Sequence, residues 1–226
     1  MSWDTATSST TYYTSSNSFT EIYGPTSGPI PEPKSKIAFN SKAMEQIVKA
    51  GVLKGATAIF GQRKSPVFKD RDALRRKDIS VFYVDVIMPE YNEPPSINAY
   101  SFAVIIDILE YIPEMMARAN LIKEALSTLA VNHSKAHVIM IVKTPEMVNR
   151  FAEKHKYKKT DSGFLIPKGL PLGGMYMNGI DAEELIVTAN FAGAYLSEID
   201  SDIETDMTCV RAFLKEKKQN KKQKKK

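Results

Sequence analysis

Three polar residues stand at or near the ends of apolar strand patterns. The run SFAVII (101–106) ends on Asp107, AHVIMIV (136–142) ends on Lys143, and Asp85 stands near the end of ISVFYVDVIM (79–88). Open α/β sheets bind ligands in the crevice beyond the carboxyl ends of their strands. A carboxylate there can accept paired hydrogen bonds. A lysine there can act as a base, provided that its surroundings depress its pKa. Asp107 and Lys143 end successive strands, so both are expected to face one crevice. Glu110 and Tyr111 follow closely and are candidates to line a pocket beside them.

Other chemistry is thinly represented. His133 and His137 are four residues apart, but His137 opens a strand pattern, so the two do not share a helix face. His155 stands alone, and the single cysteine, Cys209, excludes a disulfide framework within the chain and a cysteine-based zinc site. No metal site is expected. The segment GLPLGG (169–174) lacks the Lys-Ser/Thr ending and the strand-to-helix setting of a phosphate loop. Cys209 alternates within a strand pattern and reads as a small core residue.

The elements that must position these residues alternate. NSKAMEQIVKAGVLKG (40–55) has Asn40 or Ser41 as N-cap, then Met44, Ile47, Val48 and Val52 at helical spacing, with Gly55 closing the helix. ATAIFG (56–61) is a short buried strand, 71–78 a short helix or turn, and 79–88 a strong strand. A Pro-interrupted loop (90–98) leads to the strand 101–109. Pro113 opens a helix running to about residue 130, with Met116, Ala119, Ile122 and Leu126 on its apolar face. A strand (136–144), a helix opened by Pro145, and a long loop with a short strand at GFLIP follow. Asp181 caps a helix that Gly193 ends, and the strands 194–200 and 207–215 pair as a hairpin. Alternating units of this kind imply parallel strands with right-handed crossovers. The expected fold is α/β, a Rossmann-like three-layer sandwich whose mostly parallel sheet gains a C-terminal antiparallel hairpin, with the reversed strand at its edge.

The chain of 226 residues suits one such domain, read as 36–215, between two tails. Residues 1–35 are rich in Ser, Thr and Tyr, then in Pro and Gly, and read as a disordered or loosely docked arm. Its Tyr12, Tyr13, Phe19, Ile22 and Tyr23 could engage a protein partner. The net charge of +5 belongs to the other tail: Lys215–Lys226 carries eight lysines and one glutamate, which leaves −2 on the rest. Such a tail is expected to bind nucleic acid through its phosphates, without base stacking because it has no aromatics. No apolar run reaches the ~20 residues of a membrane span. The N-terminus lacks the basic and apolar regions of a secretory signal. The chain is expected in a reducing, intracellular compartment.

Five segments resemble the class I S-adenosylmethionine-dependent methyltransferases: ATAIFG, FYVDVIMPE, SFAVIIDILEYIP, AHVIMIVKTPE and GIDAEELIVTANFAGAYLSEI. The resemblance covers roughly residues 38 to 215. It implies S-adenosylmethionine as cofactor, with Gly61 at the first loop and Asp85 accepting hydrogen bonds from the ribose. It also implies that Asp107 and Lys143 match the middle of the Lys-Asp-Lys-Glu set of RNA ribose 2′-O-methyltransferases, with Lys42 first and Glu204 fourth. The expected function is therefore methyl transfer to nucleic acid. The first loop departs from the family: Gly61 is followed by Gln62-Arg63-Lys64-Ser65-Pro66, where two or three glycines are usual. That departure keeps a second expectation open, a catalytically inactive methyltransferase-fold protein serving as a nucleic-acid- or protein-binding module.

Overall fold

The computed structural model describes residues 38–88, 95–133, 135–161, 163–170, 172–201, 203 and 205–214. The N-terminal arm, the lysine tail and Glu204 lie outside them. The helices are α1 (Lys42–Lys49), α2 (Arg71–Arg75), α3 (Met115–Thr128), α4 (Pro145–Lys154) and α5 (Ala182–Phe191). The strands are β1 (Gly55–Gly61), β2 (Ile79–Asp85), β3 (Phe102–Ile106), β4 (His137–Val142), β5 (Lys158–Thr160), β6 (Gly163–Leu165), β7 (Tyr176–Met177), β8 (Leu196–Ile199) and β9 (Thr208–Phe213).

Six strands form the main sheet in the order β2-β1-β3-β4-β9-β8. The first four are parallel, and β9 runs against both its neighbours. The hairpin expected at the C-terminus is present, but its reversed strand is not at the edge. β8 takes the edge and β9 returns into the gap beside β4. Composition explains the choice: β9 (TCVRAF) is buried along nearly its whole length, whereas β8 (LSEI) exposes both ends.

The strands sort their side chains with period two. Ala58 and Phe60, Ala103 and Ile105, and Val138, Met140 and Val142 pack under α3 and α5. Ile59, Val104, Ile106, Ile139 and Ile141 pack against Met44 and Ile47 of α1 and Leu74 of α2. Helices on both faces of a mostly parallel sheet make the three-layer α/β sandwich. No helix among the described residues is long and apolar enough to cross a membrane.

Local chemistry sets the helix ends. The Ser41 hydroxyl accepts the Met44 N–H at 3.2 Å, and the buried Asp70 carboxylate accepts the backbone N–H groups of Asn40 (2.6 Å) and Ser41 (3.1 Å). Asp70 thereby ties the start of α1 to the start of α2. Helix α1 stops at Lys49 and Gly51 (φ +68°) takes the turn that follows it, while Gly55, also left-handed (φ +74°), opens β1. Asp181 caps α5 as expected, its carboxylate accepting the Glu184 N–H at 2.8 Å. Met116 does not join the core and is 51% exposed, because Arg118 takes the inward position and bonds the carbonyls of Ile112 and Pro113. The long loop after α4 is a second, three-stranded antiparallel sheet, β5-β6-β7. Ile166 and Met177 pack it on Val148 of α4.

Candidate functional site

The parallel strands β1, β2, β3 and β4 deliver Gly61, Asp85, Asp107 and Lys143 to one end of the sheet. There the structure builds a charged cluster and, beside it, a cavity.

The cluster centres on Asp107. Its backbone is left-handed (φ +54°), an arrangement that costs a non-glycine residue about 1 kcal/mol or more. Two residues of the loop after β1 hold it there. Gln62 donates to the Asp107 carbonyl at 3.2 Å, and the Ser65 hydroxyl donates to Asp107 Oδ2 at 2.6 Å. From the end of β4, Lys143 Nζ lies 3.5 Å from Asp107 Oδ1 and donates a short hydrogen bond to Glu110 Oε1. The same ammonium stands 5.6 Å from the centre of the Tyr111 ring. Asp107 and Lys143 are thus brought together as the strand ends require, and Glu110 completes an ion triad. The Glu110 side chain is wholly buried, and its Oε2 has no hydrogen-bond partner among the described residues.

Electrostatics fix the protonation of this cluster. Burial by itself would lower the Lys143 pKa, but Glu110, then Tyr111 and Asp107, outweigh it and hold the ammonium above the ordinary lysine range. Burial pushes the Tyr111 hydroxyl up to about 12 despite the opposing pull of Lys143. A general-base role for Lys143 needs a shift in the other direction. Lys143 therefore stands here as a cation held between Glu110 and Asp107. Lys42, the expected first member of the set, is exposed at the start of α1 and makes no hydrogen bond or ion pair with Asp107 or Lys143. Glu204, the expected fourth, lies outside the described residues.

The cavity has a volume of about 310 Å³, at the small end for small-molecule sites. Gln62, Arg63 and Lys64 line it from the loop after β1, and Asp85, Ile87 and Met88 from the end of β2. Leu172, Gly173 and Met175 close it from the β6–β7 connection. Asp85 is 3% exposed, and its Oδ1 accepts the N–H groups of Ile87 (3.0 Å) and Met88 (3.2 Å). This turn fixes the carboxylate at the cavity and lays two apolar side chains beside it. Gly61, expected to touch the cofactor, is not among the lining residues. A Cβ there would meet the Ile106 carbonyl at 2.9 Å and the Phe68 ring at 3.3 Å, so its glycine serves the packing of β1 against β3.

Sequence reasoning missed Ser65, Gln62 and the β6–β7 connection. Ser65 had a signal, because Ser-Pro is a cap followed by a first-turn proline, and it does cap a 3₁₀ turn (Pro66–Lys69). Its second bond, to Asp107 across 42 residues, leaves no local trace. Among the described residues, no group of three or more His, Cys, Asp or Glu side chains is placed to hold a metal.

No protein-family model and no curated protein matches the chain. Among solved structures, it is similar to a protein assigned as an O-methyltransferase from Nostoc punctiforme (11% identity, TM-score 0.45, 76% of this chain and 56% of that one). It is also similar to a SAM-dependent methyltransferase from Methanosarcina mazei (12%, 0.43, 75% and 98%). A third is human N-acetylserotonin methyltransferase in complex with SAM (8%, 0.41, 75% and 51%). The chain spans little more than half the length of the first and third. No residue's role is carried across at these identities. The strand order, with one reversed strand inside the far edge and helices on both faces, makes a Rossmann-like three-layer α/β fold.

Proposed function

We propose that the protein is an S-adenosylmethionine-dependent methyltransferase acting on nucleic acid, with the cavity beside Asp85 as its cofactor pocket. The observation that carries the reading is a fixed carboxylate facing a cavity of about 310 Å³ at the ends of β1 and β2. The residues fit an adenosyl group. Asp85 would accept the ribose hydroxyls, Ile87 and Met88 would flank the base, and Arg63 or Lys64 would meet the amino-acid carboxylate. The cofactor would supply the methyl group. Asp107, anchored by Ser65 and Gln62, would contact the substrate, and Lys143 would hold a charge rather than move a proton. Support for nucleic acid comes from the charge of Lys215–Lys226 alone.

Calorimetric titration with S-adenosylmethionine and S-adenosylhomocysteine tests the reading. Micromolar binding of either, weakened at least tenfold in Asp85→Asn, is the expected result. Absence of binding by both ligands sinks it.

The absence of Gly61 from the cavity wall and the fixed charge of Lys143 favour a second reading. In it the fold persists as a binding module without methyl transfer. Cofactor binding with no methylation of RNA or DNA would support that reading.

A further inference from the structure

We propose that this cavity binds phosphate-bearing nucleosides, with Arg63 and Lys64 holding the phosphate and Asp85 the ribose. The inference rests on the preceding reading only for the place of the nucleoside, not for the methyl donor.

Charge is the first argument. Two lining residues, Arg63 and Lys64, are cations, and one, Asp85, is an anion. Arg63 and Lys64 are exposed and make no hydrogen bond or ion pair with a described residue. The cations elsewhere in the fold's interior are engaged: Arg118 with Glu184, Lys143 with Glu110, and Arg211 with Asp200. Two adjacent cations that pair with no described carboxylate, on the wall of a cavity, are suited to an anionic ligand. A phosphate can take up both charges, whereas the amino-acid part of S-adenosylmethionine offers them a single carboxylate.

Geometry is the second argument. Gly61 and Asp85 are register partners on neighbouring parallel strands. The loop 62–64 therefore leaves the sheet about 5 Å, one strand spacing, from the Asp85 backbone. A ribose bonded to Asp85 has its 5′ substituent within reach of the next strand's loop, while Ile87 and Met88 offer apolar surface to the base. Glycine-rich loops hold phosphate with backbone N–H groups. Here the loop after Gly61 has no glycine and presents guanidinium and ammonium groups instead.

The test is calorimetric titration of the full chain with adenosine, adenosine 5′-monophosphate and S-adenosylmethionine, at low and at high salt. The monophosphate is expected to bind at least roughly tenfold more tightly than adenosine at low salt, with the advantage shrinking as salt screens it. The double variant Arg63→Ala/Lys64→Ala should lose that advantage and keep adenosine binding. Asp85→Asn retains an acceptor for the Ile87 and Met88 amides and should weaken both ligands. Equal affinity for adenosine and its monophosphate overturns the proposal. So does monophosphate binding that survives the double substitution, since that binding belongs to the lysine tail. S-adenosylmethionine binding without monophosphate binding refutes this inference and leaves the preceding reading standing. The reverse pattern refutes the preceding reading and supports this one.

Discussion

Replacing Lys143 by methionine should reveal how much the ion triad contributes. Methionine keeps the length and the apolar stem, so the change removes the ammonium and little else. Glu110 is then left wholly buried without its counter-ion. Breaking a buried pair from one side costs about 3–5 kcal/mol. Lys143 is 23% exposed and Asp107 22%, which places the cost at the low end, about 3 kcal/mol. For a domain of this size that corresponds to roughly 6–12 °C in Tm. Glu110→Gln should cost less, because Lys143 keeps Asp107 and some solvent. The double variant should recover much of the Lys143→Met loss, giving a coupling of at least about 2 kcal/mol in a double-mutant cycle. Urea unfolding of the four proteins measures it. The pH dependence has a definite sign. A lysine whose folded pKa is raised contributes fully below its unfolded value, about 10.4, and loses that contribution only as pH climbs through the raised one. The difference between wild type and Lys143→Met should therefore be flat from pH 7 to 9. A coupling near zero, or a difference that shrinks across that range, would refute the fixed-cation assignment.

Two glycines and one thiol give further tests. A Cβ on Gly179 would stand 2.3 Å from Pro145 Cα and 2.4 Å from Pro145 N, both backbone, so Gly179→Ala should exceed the usual 1–3 kcal/mol of overpacking. Gly61→Ala meets one carbonyl at 2.9 Å and should fall within that range. Equal and small Tm losses for both would contradict the packing described. The Cys209 thiol is buried and pushed up to about 12 by burial, then by Asp200. It should resist iodoacetamide at pH 8 in the native protein and react in urea; rapid native labelling, read by mass spectrometry, would show that β9 opens readily.

The sequence showed the parallel core most clearly. β1 to β4 are apolar runs bounded by polar residues, and each lies within a residue or a few of its expected place. Strand ends were legible for Asp107 and Lys143, which arrive where the apolar runs stop; β2 ends at Asp85, three residues before the expected end at Met88. Strand order was less so. Both β8 and β9 alternate well enough to be strands, and only their burial in the finished sheet shows which is the edge. Of the ribbon β5-β6-β7 only β6 was visible, as the short strand at GFLIP; β5 and β7 are three and two residues long, too short for any period to register. The protonation of Lys143 could not be read either. A lysine at a strand end looks the same whether its neighbours are apolar or two carboxylates, and Glu110 reaches it only through the 3₁₀ turn at Leu109–Tyr111.

The missing glycines and the strained aspartate are two sides of one arrangement. A glycine-rich loop after β1 could not supply the side chains that hold Asp107 in its left-handed conformation. Gln62 takes its carbonyl and Ser65 its carboxylate. Gln62 also lines the cavity, so one side chain touches both the cavity and the backbone of Asp107. Restoring glycines at 62 and 65 would therefore not rebuild a more complete cofactor loop. It would remove both anchors from Asp107 and leave its left-handed backbone to relax, which separates the carboxylate from Lys143. The loop QRKSP is thus a substitute with its own logic, in which side chains carry the contacts that backbone amides make elsewhere.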